Sequence, residues 1–387
     1  MDKLFAVCAP GLETFLTHEL EQLGLSVPST ASAGHEGGGV EFQGSLRDLY
    51  RANLWLRTAS RVIIRLGEFR AAAFPELRRK AGRLPWESYL APGQPVAIRA
   101  TCEKSRLYHS DAVAERVAGA LADRLGRPAP LVKFNEEAAV DLPQLIVVRL
   151  VHDQCTISVD SSGALLHRRG YRQAVAKAPL RETLAAGVLM ASGWDMASPL
   201  LDPFCGSGTL PIEAALMARN IAPGGKRRFA FMDWPNFEAA MWSALLVGAR
   251  PTSPLPPIIA SDRDAGAIEA AQANAERAGV ADCIEFSCRA VSAIEPPPGP
   301  GWVVTNPPYG VRVSRSRDLR NLYAQFGNVM RDKCSGWRVA VLHEADSDQL
   351  LRNTGLNFDE TPSLSLVSGG LKVKLARGKV VQDPKVF

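Results

Sequence analysis

The run Asn306-Pro307-Pro308-Tyr309 closes an apolar stretch, Val303-Val304-Thr305, and puts an amide, two prolines and an aromatic ring where a buried strand would end. Those four residues could grip a flat, amino-bearing base. The exocyclic amine of a nucleobase is a poor nucleophile because its lone pair is delocalised into the ring. The Asn306 side-chain oxygen and the Pro307 carbonyl can each accept one N–H, which favours a pyramidal nitrogen and aims its lone pair at an electrophile. Pro307 and Pro308 fix their own φ angles and restrict the residues before them, so the carbonyl stays aimed. Tyr309 offers a face on which a base can stack, typically worth ~1–3 kcal/mol. The same residues also fit a strand running into an ordinary Pro-Pro turn, and none of them separates guanine from adenine.

A second cluster could hold the electrophile. Leu200-Leu201-Asp202-Pro203-Phe204-Cys205-Gly206-Ser207-Gly208-Thr209 reads as a strand, a glycine-bearing turn and the start of a helix over residues 210–219. Gly206 and Gly208 let the backbone approach a ligand closely, as in the first turn of a doubly wound sheet. A dinucleotide fingerprint is not met, because Pro211 stands where the third glycine belongs, and no phosphate-gripping lysine follows. Asp202 suits a cationic, amine-bearing ligand better than a pyrophosphate, and S-adenosyl-L-methionine has both properties. The next strand, residues 258–262, ends in Asp262 with Arg263 beside it, and the acid could bind both ribose hydroxyls of such a cofactor. Asp264 is the near alternative; Asp262 is preferred because it ends the apolar run directly.

The chain that must position these residues has 387 of them, more than one ordinary core at roughly 150 residues per domain. Hydrophobic residues make up 46% and charged residues 22%, a globular balance, and no apolar run approaches the ~20 residues that span a bilayer. No convincing secretory signal opens the chain, so a cytoplasmic protein without a membrane partner is expected. Seven scattered cysteines with no CxxC, and six histidines with no HxxxH pair, argue against disulfides and against a metal. A net charge of +5 permits a polyanionic partner without demanding one.

In the front half, residues 4–7 read as a strand, and Leu12, Phe15, Leu16, Leu20 and Leu23 form a helical stripe closed by Gly24. Strand, helix and strand follow at residues 40–42, 46–56 and 62–66, with a further short strand near Ser26. This β-α-β-α-β order suits a small ferredoxin-like α+β domain over residues 1–66. Over residues 67–160, Arg78, Arg79, Lys80 and Arg83 crowd one helix, and residues 96–102 form a strand. Lys104-Ser105-Arg106-Leu107-Tyr108-His109 then leads to a helix capped by Ser110 or Asp111, and a hairpin turns at His152-Asp153. A basic loop at a helix start could hold phosphates through Lys104, Arg106, His109 and free N–H groups, or be a solvated surface. Arg168, Arg169 and Arg172, with Tyr171 among them, fit a linker over residues 161–190 that touches a nucleic acid backbone, or a plain charged linker. A long insertion, residues 220–257, carries Lys226, Arg227 and Arg228, which could meet RNA or solvent.

Within this pattern, Glu103-Lys104-Ser105-Arg106-Leu107-Tyr108-His109 resembles the THUMP domain of RNA-modifying enzymes, which implies RNA binding. The pairing of His167-Arg168-Arg169-Gly170-Tyr171-Arg172 with Ala178-Pro179-Leu180-Arg181-Glu182 resembles the bacterial THUMP-containing guanine-N2 methyltransferases of large-subunit rRNA. In those relatives the second element lies beside the cofactor, which implies such a place for Pro179, Leu180 and Thr183. Residues 165–387, with Asp202, Gly206, Asp262 and Asn306 at successive strand ends, resemble Rossmann-like S-adenosyl-L-methionine-dependent methyltransferases, among which N-P-P-Y marks amino methylation.

The fold expected is α/β. A Rossmann-like methyltransferase domain over residues 191–387, mostly parallel with an antiparallel terminal hairpin, follows the ferredoxin-like plus THUMP α+β module. One departure stands out: many enzymes of this class bind the adenine amino group with an acid after the third strand, and here Arg289-Ala290-Val291 leaves that contact to backbone groups or to another residue. The resemblance implies methylation of guanine N2 in structured RNA, 23S rRNA first, by Asn306, Pro307, Pro308 and Tyr309. The cofactor would meet Asp202, the turn Phe204-Cys205-Gly206-Ser207-Gly208-Thr209, Asp262, Arg263 and Asn306. Arg312 joins the basic residues expected to meet RNA. A tRNA guanine-N2 methyltransferase, an adenine-N6 DNA methyltransferase and a non-catalytic RNA-binding protein stand as alternatives.

Overall fold

The elements in chain order are β1 (Asp2–Cys8), α1 (Glu13–Gln22), β2 (Gly39–Gly44), α2 (Leu46–Trp55), β3 (Ala59–Arg70), α3 (Phe74–Ala81), β4 (Val96–Glu103), α4 (Ser110–Leu125), β5 (Gln144–Val151) and β6 (Gln154–Asp160). They continue as α5 (Glu182–Ser192), β7 (Leu200–Asp202), α6 (Thr209–Ala218), α7 (Ala239–Val247), β8 (Ile258–Asp262), α8 (Ala265–Ala278) and β9 (Ile284–Cys288). Last come β10 (Trp302–Thr305), α9 (Ser316–Lys333), β11 (Arg338–Glu344), α10 (Asp348–Asn353), β12 (Leu364–Ser368) and β13 (Leu371–Lys379). The computed structural model describes residues 1–28, 38–136, 142–173, 180–247, 255–309 and 316–381. Pro179 and Arg312, expected at the cofactor and at RNA, lie outside the described residues. The chain divides into a first unit, residues 1–8, 16–166 and 226–248, and a second, residues 9–15, 167–225 and 249–387. Among the described residues no helix is long and apolar enough to cross a membrane.

One six-stranded sheet, ordered β2-β1-β3-β6-β5-β4, backs the first unit. Only β4 and β5 pair in parallel. Strand β3 is long enough to serve both front modules: residues 59–64 pair with β1 and residues 63–70 with β6. Ser26 makes a single bridge to Gln43 instead of a strand. A capping box starts α2, where Ser45 Oγ accepts from the Asp48 N–H and Asp48 Oδ2 accepts from the Ser45 N–H at 3.0 Å. The N-cap of helix α4 lies one residue before the expected pair: it is His109, without a side-chain bond, and Ser110 and Asp111 lie in the first turn.

Part of the long insertion belongs to this first unit. Phe231 stacks on Tyr50 at 4.4 Å, Trp242 of α7 stands edge-on to Tyr50 at 6.2 Å, and the Glu238 N–H donates to the Tyr50 hydroxyl at 3.1 Å. Arg227, expected at RNA or in solvent, instead donates to the carbonyls of Leu165, at 2.8 Å, and Ala164, and its guanidinium lies 4.9 Å from the Phe229 ring. Arg228 pairs with Asp233. A planar fork with five donors can satisfy several carbonyls at once, so Arg227 serves the fold.

The second unit is built on a seven-stranded sheet ordered β12-β13-β11-β10-β7-β8-β9. Strands β11, β10, β7, β8 and β9 run parallel, and β13 and β12 add the antiparallel hairpin. The apolar runs of β7, β10 and β11 are buried, with Val303 and Val304 inaccessible and Val303 packed in one core with Leu201, Phe326 and Trp337. Helix α5 is buried on nearly every side, as its lack of a polar stripe requires. The strand order reverses between β7 and β10, the place in an open α/β sheet where ligands lie beyond the carboxyl ends.

Candidate active site

At that reversal the strand ends bring together Asp202 (β7), Asp262 (β8) and, one residue past β10, Asn306. Asp202 is 1% exposed, and its Oδ1 accepts from the Thr305 hydroxyl at 2.6 Å and the Phe204 N–H at 3.2 Å. Burial pushes its pKa up to about 7; the Thr305 and Phe204 bonds hold it down, and the Asp262 charge adds to the rise. Among the described residues no cation pairs with this carboxylate, so an ammonium group on a ligand fits it by charge.

The turn after Asp202 is shaped for close approach. Gly206 (φ 52°) and Gly208 (φ 85°) adopt left-handed backbone, and a Cβ on Gly208 would come within 2.9 Å of the Ala271 Cβ. The space a Gly206 Cβ would enter is open. The Gly206 N–H donates to Asp262 Oδ2 and the Asp264 N–H to Asp262 Oδ1, both at 3.0 Å. Each Asp262 oxygen thus keeps a lone pair for a ribose hydroxyl. Asp264 has a separate task, because its Oδ1 caps α8 through the N–H groups of Gly266, at 2.9 Å, and Ala267, at 3.3 Å. Cys205 and Ser207 are buried; the Cys205 N–H donates to the Ser261 carbonyl at 3.0 Å, and the Ser207 carbonyl accepts from Asn274 Nδ2 at 3.1 Å. Phe204 is half-buried against Phe326, and Arg263 is exposed. Beside them the Arg289 N–H donates to the Asp262 carbonyl at 2.9 Å, which ties the segment that contains Ala290 to the end of β8.

On the acceptor side, Asn306 Oδ1 is buried yet accepts no hydrogen bond from the described residues. Leaving such an acceptor unpaired costs about 1–3 kcal/mol, so its natural partner is a donor that arrives with a ligand. Pro307 is buried, and Pro308 and Tyr309 are half-buried. Burial, with the Glu344 charge nearby, pushes Tyr309 up to about 12, so its phenol stays neutral.

The arginine-rich segment turns inward. Arg169 Nε lies 3.5 Å from Glu213 Oε1, which also accepts from the Tyr171 hydroxyl at 3.0 Å. Arg172 Nε lies 3.0 Å from Glu182, and its Nη2 donates to the Leu180 carbonyl at 2.6 Å and to Thr209 Oγ1 at 2.9 Å. Arg169 and Arg172, expected to touch RNA, are therefore held by buried carboxylates, and Arg168 is half-buried and partnered. Burial and the surrounding arginines, Arg181 first, push His167 down to about 3, so its ring is neutral. Arg172 links two expected cofactor residues, Leu180 and Thr209, while Thr183 is buried in the first turn of α5. Thr305, Glu182, Glu213 and Asn274 were not legible as part of this assembly; Glu213 lies 44 positions from Arg169, with no local signal to join them.

Lys104, Arg106 and His109 face outward. The side chains of Lys104 and Arg106 are 68% and 73% exposed, and His109 is exposed beside Tyr108, ring to ring at 4.1 Å. Their loop is pinned to the β5–β6 turn, where Asp153 Oδ1 accepts from the Arg106 N–H at 2.7 Å and Ser105 Oγ accepts from the Asp153 N–H at 3.0 Å. Lys104 Nζ lies 3.9 Å from Glu103 and Arg106 Nε 3.7 Å from Asp153, long exposed pairs that leave the cationic tips open to a polyanion.

Family models agree with this layout. The RMKL-like methyltransferase domain matches residues 169–361, the RlmL ferredoxin-like domain residues 3–63 and the THUMP domain residues 71–160. A protein of Synechocystis sp. classed with the RNA methyltransferases is 35% identical over 96% of this chain and 95% of its own length. The chain belongs to the RMKL-like methyltransferase family. Within the RMKL-like family it is also similar to the ribosomal RNA large subunit methyltransferase K/L of Syntrophotalea carbinolica, at 37% identity over 98% of this chain and 54% of the relative. The chain thus spans about half the length of the K/L relatives it matches. The crystal structure of SMU.472, described as a methyltransferase complexed with SAH, aligns with a TM-score of 0.82 and 30% identity over 99% of both chains.

Proposed function

We propose that this chain transfers a methyl group from S-adenosyl-L-methionine to the exocyclic N2 amine of a guanine in RNA, with large-subunit rRNA as the substrate. Asn306 Oδ1, buried and without a partner among the described residues, carries the reading, because an open acceptor at the sheet's ligand-binding edge suits an incoming amine. The K/L relatives support the RNA class, the SAH-bound neighbour supports the cofactor, and the HRRGYR and APLRE stretches support guanine by resemblance.

When bound, the cofactor supplies an electrophilic methyl group on a sulfonium. Asp202 would neutralise its ammonium, Asp262 would take its ribose hydroxyls, and the open backbone at Gly206 would lie against it. The target base leaves its stack at a cost of a few kcal/mol and rests on Tyr309. Asn306 Oδ1 and the Pro307 carbonyl accept the two amine N–H groups and point the nitrogen lone pair along the line of attack. No side chain has to remove a proton first, since the alkylated nitrogen is acidic and releases one to water afterwards. Lys104, Arg106 and His109 bind the RNA backbone.

Mass spectrometry of nuclease-digested rRNA and tRNA, from cells with and without the gene, tests the proposal. Loss of one N2-methylguanosine from large-subunit rRNA is expected. A loss confined to tRNA would overturn the substrate, and loss of a methyladenosine would overturn the base.

A further inference from the structure

Thr305, the last residue of β10, is wholly buried, and its hydroxyl makes the shorter of the two bonds to Asp202, 2.6 Å against 3.2 Å from the Phe204 N–H. A buried threonine hydroxyl commonly turns back on its own local backbone. Here it reaches from β10 to the end of β7, its parallel neighbour at the reversal of strand order. The next residue is Asn306, whose side-chain oxygen has no partner among the described residues. Thr305 therefore touches the acid assigned to the methyl donor and directly precedes the residue whose amide is assigned to the acceptor.

We propose that Thr305 is a positioning residue that couples donor to acceptor: its hydroxyl holds the Asp202 carboxylate aimed at the cofactor ammonium, while its backbone sets Asn306 against the attacking amine. The inference rests on the roles given above to Asp202 and Asn306. With Oδ1 engaged by Thr305 and Phe204, Oδ2 is the oxygen left for the ammonium. The Thr305 bond also favours the charged form of a carboxyl that burial would otherwise neutralise. Among the described residues the ionisable groups around Asp202 are Asp262 and the Cys205 thiol, itself pushed well up by burial and by both acids. Neither brings positive charge, so hydrogen-bond donors alone oppose the neutral form.

Cofactor binding should then depend on pH in a way that Thr305 sets. The ammonium needs the ionised acid, so affinity rises with pH through about 7 and levels off above it. Without the hydroxyl, that rise moves to more alkaline pH.

The test is calorimetric titration of S-adenosylhomocysteine, which keeps the ammonium, into the full chain from pH 6 to 9, with steady-state methylation of total rRNA beside it. Thr305→Val keeps the β-branched shape and loses the donor; Thr305→Ser keeps the donor. At pH 7 the valine variant should bind about tenfold more weakly, the loss expected for a bond to a charged group, and recover part of that by pH 9. Its kcat at saturating cofactor should also fall, because the side-chain bond that ties the end of β10, and with it Asn306, to Asp202 is gone. The serine variant should keep the wild-type pH profile. Wild-type affinity and profile in the valine variant, or a serine variant as impaired as valine, would overturn the role of Thr305 alone. Failure of the wild type to bind at any pH would overturn the cofactor reading and the inference together.

Discussion

A buried amide oxygen normally has a donor, and Asn306 Oδ1 finds none among the described residues, which leaves it open to a ligand. Asn306→Ala should lower kcat at least about a hundredfold, the scale seen when one preorganised polar contact to a reacting group is lost. The Kd for S-adenosylhomocysteine should stay within about twofold, because Asp202 and Asp262 remain; full turnover in the variant would remove Asn306 from the chemistry. Asn306, Asp202 and Asp262 were legible in the sequence because each ends or directly follows an apolar run, and Gly206 because a tight turn must follow the first of them. Thr305 was not. A β-branched residue closing Val303-Val304 reads as core, and only strand pairing shows that its hydroxyl meets Asp202.

At the level of elements, the same composition had opposite outcomes. The loop at residues 104–109 and the segment at 167–172 are both basic, but the first is exposed and the second is clamped by Glu213 and Glu182. Charge alone does not report burial, and partners far apart in sequence leave no periodic trace. Salt titrations of RNA binding separate the two. Replacing Lys104 and Arg106 with alanine should flatten the log–log salt slope by about 0.7 to 0.9 per lost phosphate contact. Arg172→Ala should weaken cofactor binding and leave the slope alone; an equal slope change in both variants would put Arg172 on the RNA. Glu213→Ala leaves the Arg169 charge buried without its carboxylate and should destabilise the second unit by about 3–5 kcal/mol, read from a denaturant midpoint. A shift below about 1 kcal/mol would mean that the other partners of Arg169 suffice to hold its charge.

For the molecule as a whole, the sequence pattern located β7, β8 and β10 of the second unit and foresaw its terminal hairpin, because buried parallel strands are continuous apolar runs bounded by turns. It was less informative about the first unit. Period-two alternation marks a strand but not the strand across from it, so the front modules read as separate although β3 pairs into both. Nor did it show that residues 226–248 join this unit, because the aromatic cluster around Tyr50 is assembled from distant segments. Trp242→Ala should destabilise the first unit by about 3–5 kcal/mol. Hydrogen exchange should quicken in β1–β3 and stay slow in β7, β10 and β11; uniform loss of protection would instead mean that the two units unfold together.

The Tyr50 hydroxyl bonds to the backbone of Glu238, 188 positions later. A ribosome adds about 5–20 residues per second, so the nascent chain waits roughly 10–40 s between exposing Tyr50 and delivering the rings that cover it. By then β7 and α6 have already been made. The first unit begins to form before the second, yet cannot close until synthesis of the second is under way, and a slowly translated message would lengthen the time that Tyr50 stands open to aggregation or to a chaperone.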